Sequence, residues 1–348
     1  MSKKHLFIIL VASPLLAIFM ASIQIYYYLG IWQYDGADQV FTIRPGETFS
    51  KINYRLKKEQ LISNARIFHR YTGYKKALTK FKAGEFLIKK DSTMIDIFNT
   101  LINGKARTIT ITIPEGKNLY EIGKRLAAKK ITTYQDFVHW AKHPQFVHSL
   151  HITANTVEGY LFPETYNFTK NATAKRVITT MVNQFKRKTK QLDFIQGTLS
   201  PHEIVTLASI VEKETGAAWE RPQIAGVFLN RLKKPMRLQS DPTTIYGFFE
   251  RYKGNITKKD LQTKTAYNTY RIAGLPQGPI CNPGIKAINA VLHPSTHKFL
   301  YFVSQNDGTH VFSRRYSDHV RAVNKFQKQR KYRTGRSWRN LKQKAKKH

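Results

Sequence analysis

The sequence predicts an α+β protein carried behind a single membrane-spanning helix. Three observations predict it. Leu6 to Gly30 is an apolar run without a charged residue. Short strand-like and helix-like segments then alternate at turn signals as far as residue 327. Among them lies an apolar helix, Ile204 to Thr215, that ends in two carboxylates, Glu212 and Glu214. The 348 residues suffice for two domains, and 41% hydrophobic composition suffices for ordinary cores.

The anchor comes first. At about 1.5 Å per residue the run from Leu6 to Gly30 can cross a bilayer core. Lys3 and Lys4 precede it, whereas Asp35 and Asp38 follow and no basic residue occurs until Arg44. That asymmetry puts the N-terminus in the cytoplasm and the body outside. Tyr26, Tyr27, Tyr28 and Trp32 suit the far interface. A cleaved signal peptide is the competing reading, with small residues between Ala17 and Ala21, but the apolar run continues through Ile23 and Ile25.

The formal charge is 58 − 22 = +36, a field that favours a polyanionic partner. Export of the body argues against nucleic acid as that partner. One cysteine, Cys281, excludes an intrachain disulfide, and no Cys/His spacing suggests a metal site. No cofactor is expected.

The exported body opens with a strand at Phe41, a turn at Pro45-Gly46 and a helix through Phe49, Ile52 and Leu56. Asn64 is an N-cap for a second helix through Phe68 and Tyr71; Phe81 to Ile88 reads as a second strand, and Ser92 or Thr93 opens a helix through Leu101. Residues Ile111 to Leu119 resemble the Phe41 segment at an offset of 70: Gly46 matches Gly116, Phe49 matches Leu119 and Ile52 matches Ile122. Two related strand-turn-helix units would produce this pattern, as would two ordinary units sharing a turn type.

Glu158 to Phe168 is rich in aromatic residues. Aromatic faces beside carboxylates or amides suit sugar rings, whose C–H faces stack while their hydroxyls hydrogen-bond. Tyr160, Glu164 and Tyr166 are the candidates for a cleft wall; Phe162 and Phe168 read as core. A helix follows from about Ala174 through Phe185.

Ser200-Pro201 then caps the acid-bearing helix, with Glu203 in its first turn and Gly216 expected to end it. A carboxylic acid at the margin of apolar surface has the raised pKa that general acid work needs. The helix is expected to bury one apolar face; Glu212 and Glu214 lie on opposite shoulders of that face, so its geometry does not rank them, and both could instead be surface partners of Lys213, Arg221 or Arg231. Three loops rich in polar side chains and rigid turns follow: Arg237 to Gly247, Tyr267 to Tyr270 and Gly274 to Gly284. Loops of this kind commonly carry function. Phe299 to Val303 reads as a buried strand that turns at Asn306-Asp307-Gly308 and pairs with His310 to Phe312. Residues 321–348 contain twelve Lys or Arg and no acid, a basic tail.

Several ordered motifs carry a resemblance. They are Val211-Glu212-Lys213-Glu214-Thr215, Phe228-Leu229-Asn230-Arg231-Leu232, Met236 to Thr243, Ala266 to Tyr270, Gly274-Leu275-Pro276, Asn282-Pro283-Gly284 and Glu158 to Tyr166. With the single anchor they resemble the endolytic murein transglycosylase family, from the anchor to about residue 325. The family tends to have His-Asn where this chain has His319-Val320, and the basic tail exceeds the family pattern. Residues 38–108, in strand-helix-helix-strand order, look like a LysM-type module.

The resemblance implies an inner-membrane lyase acting on peptidoglycan. The expected organisation is a cytoplasmic tip (1–5), the anchor (6–30), the LysM-like module (38–108), a transglycosylase domain (109–327) and the tail (328–348). The expected reaction cuts the β-1,4 bond between N-acetylmuramic acid and N-acetylglucosamine and leaves a 1,6-anhydro end. It implies Glu212 as the catalytic acid. Gln239, Asp241, Tyr267, Asn268, Glu164 and Tyr166 are the candidates for holding the sugars. Glycan strands, the inner membrane and peptidoglycan synthases are the expected partners. The alternative from another class is a cell-wall-binding scaffold without catalysis.

Overall fold

In the computed structural model, residues 3–333 are described, apart from Ala106, Gln196, Thr215 and Gly216. The predicted helix stop at Gly216 and most of the basic tail lie outside the described residues. Helix and strand are mixed as expected. Contacts divide the chain into two units, one formed by Met1–Thr110 with Lys129–Thr132 and Asn167–Thr173, the other by Ile111–Ala128, Thr133–Tyr166 and Ala174–His348.

The first unit begins with α1 (Lys3–Tyr26), which carries Pro14, and continues in a π-helical turn (Tyr27–Ile31). Ala12–Ile31 is the one stretch among the described residues long and apolar enough to cross a membrane, and none of its residues is fully buried within the protein. Next come β1 (Gln39–Ile43), α2 (Phe49–Lys58), α3 (Ala65–Tyr74), β2 (Gly84–Ile88) and α4 (Met94–Asn103). β1 and β2 pair antiparallel, Phe41 opposite Phe86. The side-chain oxygen of Asn64 caps α3, and Thr93 forms a capping box with Asp96 at α4. Phe41, Phe86, Ile52, Leu56, Phe68, Ile97 and Leu101 form the core, against which Tyr28, Leu29 and Trp32, at the end of the apolar stretch, also pack.

The strand-turn-helix pattern recurs 70 residues on. α2 spans Phe49–Lys58, and α5 spans Leu119–Ala128 after β3 (Thr108–Thr112). Gly46 and Gly116 occupy the same left-handed backbone region, with φ of 77° and 75°. Two helices, α6 (Tyr134–Ala141) and α7 (Pro144–Ser149), then lead to β4 (Thr165–Thr169), which pairs with β3.

The second unit is organised around α9 (Pro201–Glu214), which follows α8 (Ala174–Thr189). The expectation of one apolar face on α9 is corrected: every residue from Ile204 to Val211 is buried, so the helix is enclosed on all sides. Thr206 and Ser209 tolerate this because their hydroxyls donate to the carbonyls of His202 and Thr206. α10 (Arg221–Lys233), α11 (Asp241–Gly247) and α13 (Ile285–Leu292) pack against α9, with the short α12 (Lys258–Gln262) between. The expected hairpin follows as β5 (Tyr301–Ser304) and β6 (His310–Ser313), and α14 (Tyr316–Val323) closes the unit.

Candidate active site

Because α9 is buried through Val211, its last turn delivers Glu212 and Glu214 into two different neighbourhoods. At Glu212 both carboxylate oxygens are engaged. Arg221, at the start of α10, donates to Oε1 at 2.7 Å, and the Gly284 N–H donates to Oε2 at 3.0 Å. The side chain is only 5% exposed. Burial raises its pKa, while the Arg221 charge and the Gly284 N–H pull it back. The turn bearing Gly116 closes over it, and Glu115 also reaches Arg221, at 3.7 Å. A Cβ at Gly284 would meet the Glu115 carboxylate, the movable end of a half-exposed side chain, which would have to swing aside. Glu212 thus fastens the 115–117 turn, α10 and the Asn282-Pro283-Gly284 loop together.

Glu214 is held differently. Its Oε1 accepts a hydrogen bond from the Ser240 hydroxyl, and its carboxylate makes no ion pair with a described residue. Burial is the main influence on it and lifts its pKa to about 7; the Ser240 hydrogen bond and the Arg231 charge oppose this, while Asp241 adds to it. Near neutral pH this acid is therefore partly protonated and can give up and recover a proton.

The loop at Glu214 is built around Thr269. Its hydroxyl accepts the Ser240 N–H at 3.0 Å and shares a 2.8 Å bond with Thr243, and its carbonyl accepts the Gln239 N–H. Gln239 sits at φ 51°, a strained backbone for a residue with a side chain, and is exposed. Asp241 opens α11 and accepts the Tyr270 hydroxyl at 2.7 Å. Buried Arg231 supports the loop from beneath, donating to the carbonyls of Leu238 at 2.7 Å and Leu300 at 2.6 Å.

Of the expected sugar contacts, Gln239 and Asp241 therefore adjoin an acid, and that acid is Glu214. Tyr267 packs edge-on against Tyr246 at 4.8 Å, and burial pushes its hydroxyl up to about 12. Asn268 is fully buried, its amide donating to the carbonyls of Leu261 and Thr263 and its oxygen accepting from Thr244 and the Tyr270 N–H. It shapes the loop and has no free edge to offer a sugar. The contacts of Glu164 and Tyr166 run elsewhere: Glu164 pairs with Lys188 at 3.3 Å, and the Tyr166 hydroxyl donates to the Phe162 carbonyl.

Sequence reasoning gives Ser240 no role, although it lies between two candidate residues, and it offers Arg231 only as a surface ion-pair partner and Tyr270 only as the end of a polar loop. It also missed Glu158. This fully buried acid accepts from the Leu119 N–H at 2.9 Å, Tyr246 at 2.8 Å and Asn282 at 2.8 Å, and desolvation lifts its pKa to about 8. Asn282 in turn accepts the Leu161 N–H and donates to the Lys117 carbonyl, so this polar knot joins the turn before α5, the 158–161 segment and the 282–284 loop. Nothing in the spacing of Glu158 distinguishes a knot from a surface acid.

Comparison with known proteins gives a consistent family. The model described as the YceG-like family matches residues 41–325. The endolytic murein transglycosylase of Bacillus subtilis (strain 168) is 32% identical over 302 residues, 82% of this chain and 83% of that protein. The protein of the same name from Streptococcus pneumoniae (strain ATCC BAA-255 / R6) is 29% identical, and the match spans 81% of this chain and 57% of that longer protein. The crystal structure of a yceG-like protein from Listeria monocytogenes is similar with a TM-score of 0.57 at 31% identity, covering 82% of this chain and 99% of that one.

Proposed function

This chain belongs to the YceG-like family, and from that premise we propose that it is a membrane-anchored lytic transglycosylase of peptidoglycan whose proton-handling acid is Glu214. It is an enzyme of the lyase class, and its substrate is the murein glycan strand. The observation that carries the choice of acid is the contrast between the two glutamates. Glu212 has both oxygens committed and a cation beside it, whereas among the described residues Glu214 has one side-chain hydrogen bond and no ion pair, and its pKa is about 7. This reverses the order that the family resemblance implies.

In the proposed reaction, protonated Glu214 gives its proton to the glycosidic oxygen as the bond from that oxygen to C1 of N-acetylmuramic acid breaks. N-acetylglucosamine leaves with a free hydroxyl. The Glu214 carboxylate then takes the proton of the C6 hydroxyl while O6 bonds to C1, which closes the 1,6-anhydro ring and restores the acid. Atoms balance without water, and one carboxyl serves both steps, so the paired acids of a hydrolase are not required. Ser240 orients Glu214. Asp241, held by Tyr270, and the exposed Gln239 amide are the groups beside it for sugar hydroxyls and N-acetyl groups. Arg231 holds the loop in place, and Tyr267 offers a ring face on the adjoining loop. With the anchor at the inner membrane and the second unit outside it, cleavage would fall on strands near their synthases and terminate them.

The test is the product spectrum from murein sacculi, read by mass spectrometry. Glu214→Gln is expected to lower release of anhydro-muropeptides by roughly 10²–10⁴-fold, the usual contribution of a positioned acid-base group. Glu212→Gln, at equal folded protein, is expected to lose less. Undiminished release by Glu214→Gln would sink the assignment, and reducing-end products in place of anhydro ends would make the enzyme a hydrolase.

A further inference from the structure

We propose that the first unit binds a membrane phospholipid in a groove between the end of the anchor and α3, on the leaflet where the chain leaves the bilayer. The inference rests on the anchored reading above. The groove encloses about 420 Å³. One wall is Ile25 and Leu29, one helical turn apart on the anchor's exit; the other is Ile67, Arg70, Tyr71 and Tyr74 of α3, with Lys75 at its mouth. The α3 residues follow i, i+3, i+4, i+7 spacing and so form one stripe, while Phe68 and Thr72 face the core behind them.

Depth, charge and chemistry point to one occupant. Ile25 lies six residues before Ile31, the end of the apolar stretch, so the groove starts about 9 Å below that end at 1.5 Å per residue. That is the level of the upper acyl chains and headgroups. The anchor wall faces hydrocarbon at this depth, so an acyl chain is the ligand continuous with its surroundings. Tyr74 is 81% exposed, and Tyr26 and Tyr27 stand out from the neighbouring turns. Such rings gain at a bilayer interface what they lose in water. Beside them, Arg70 and Lys75 form no ion pair with a described acid, and Lys75 lies over Tyr71 and Tyr74 at 5.7 and 5.8 Å. Two unpaired cations beside an apolar slot suit the phosphate of an anionic phospholipid. Through Tyr28, Leu29 and Trp32, which pack on the core of the first unit, such a lipid would seat that unit at the membrane surface.

The test uses the full chain in vesicles of phosphatidylethanolamine and phosphatidylglycerol. Cys281 is the only cysteine and is buried, so a nitroxide can be placed at Tyr74→Cys and, separately, at Ile18→Cys in the span. The expected result is faster relaxation of both labels by oxygen than by a water-soluble nickel chelate. In a second measurement, the double variant Arg70→Glu, Lys75→Glu is expected to shift the Tyr74 label toward the nickel pattern and to co-purify several-fold less phosphatidylglycerol. A Tyr74 label relaxed mainly by nickel while the Ile18 label reports hydrocarbon overturns the groove and leaves the anchor standing. If both labels report water, the anchored reading fails and the groove with it. Lipid retention unchanged by the double charge reversal also overturns the proposal.

Discussion

At the scale of single residues, the site turns on how two like acids two positions apart acquire different chemistry. Burial raises both, Glu214 more completely; against it stand a bonded guanidinium and a backbone N–H at Glu212, but one hydroxyl and the charge of Arg231 at Glu214. Two pH predictions follow from the signs. Activity should fall as pH rises through about 7 if the protonated form of Glu214 is the donor, as proposed. The Ser240 hydrogen bond lowers the Glu214 pKa, so Ser240→Ala should move that alkaline limb upward while reducing the maximal rate. A pH–rate profile of both proteins checks this, and an unmoved limb would mean that another group titrates. The sequence named the pair and two residues of the adjoining loop; helix spacing left the acids unranked and the family resemblance put Glu212 first, whereas the partners that set them apart lie 9, 26 and 72 residues away.

At the scale of elements, α9 and the polar knot around Glu158 hold the site together. Leu207 is fully buried in α9, and Leu207→Ala should cost about 2–5 kcal/mol by denaturant unfolding. Glu158 adds a pH dependence of known sign. Its folded pKa of about 8 exceeds the ordinary 4.5, so the folded state holds a proton that the unfolded state releases between those values. Its contribution to stability is full below about pH 4.5 and is lost as pH rises toward about 8. Glu158→Gln should flatten the stability–pH curve in that window, as measured by urea unfolding at several pH values. An unchanged slope would show that the carboxyl is not protonated in the folded protein. The recurrence of β-turn-α at an offset of 70 was legible because a glycine at positive φ and the first helical turn leave local marks. The enclosure of α9 was not, because which faces of an apolar helix become covered depends on α10, α11 and α13.

At the scale of the whole molecule, the charge of +36 acts on every encounter with an anionic polymer. Turnover of murein sacculi at low substrate should therefore fall as salt is raised from about 0.05 to about 0.3 M, while maximal turnover changes little, because the Debye length shrinks over that range. A salt-independent rate would remove electrostatic steering from the account. The sequence by itself determined an N-terminal stretch long and apolar enough to span a membrane, the mixed helix-and-strand class, the repeated turn, the acid-tipped helix and the family motifs. All of these are written in local composition and short spacing, where each residue's neighbours are its neighbours in the chain. Only the tertiary structure decided that Glu212 is tied down by Arg221 and Gly284, that Glu214 faces Ser240, and that Asn268 and Glu158 are internal ties rather than surface groups. A carboxyl's proton affinity and an amide's free valences are set by burial and by partners from distant segments, and those come together only when the chain has folded.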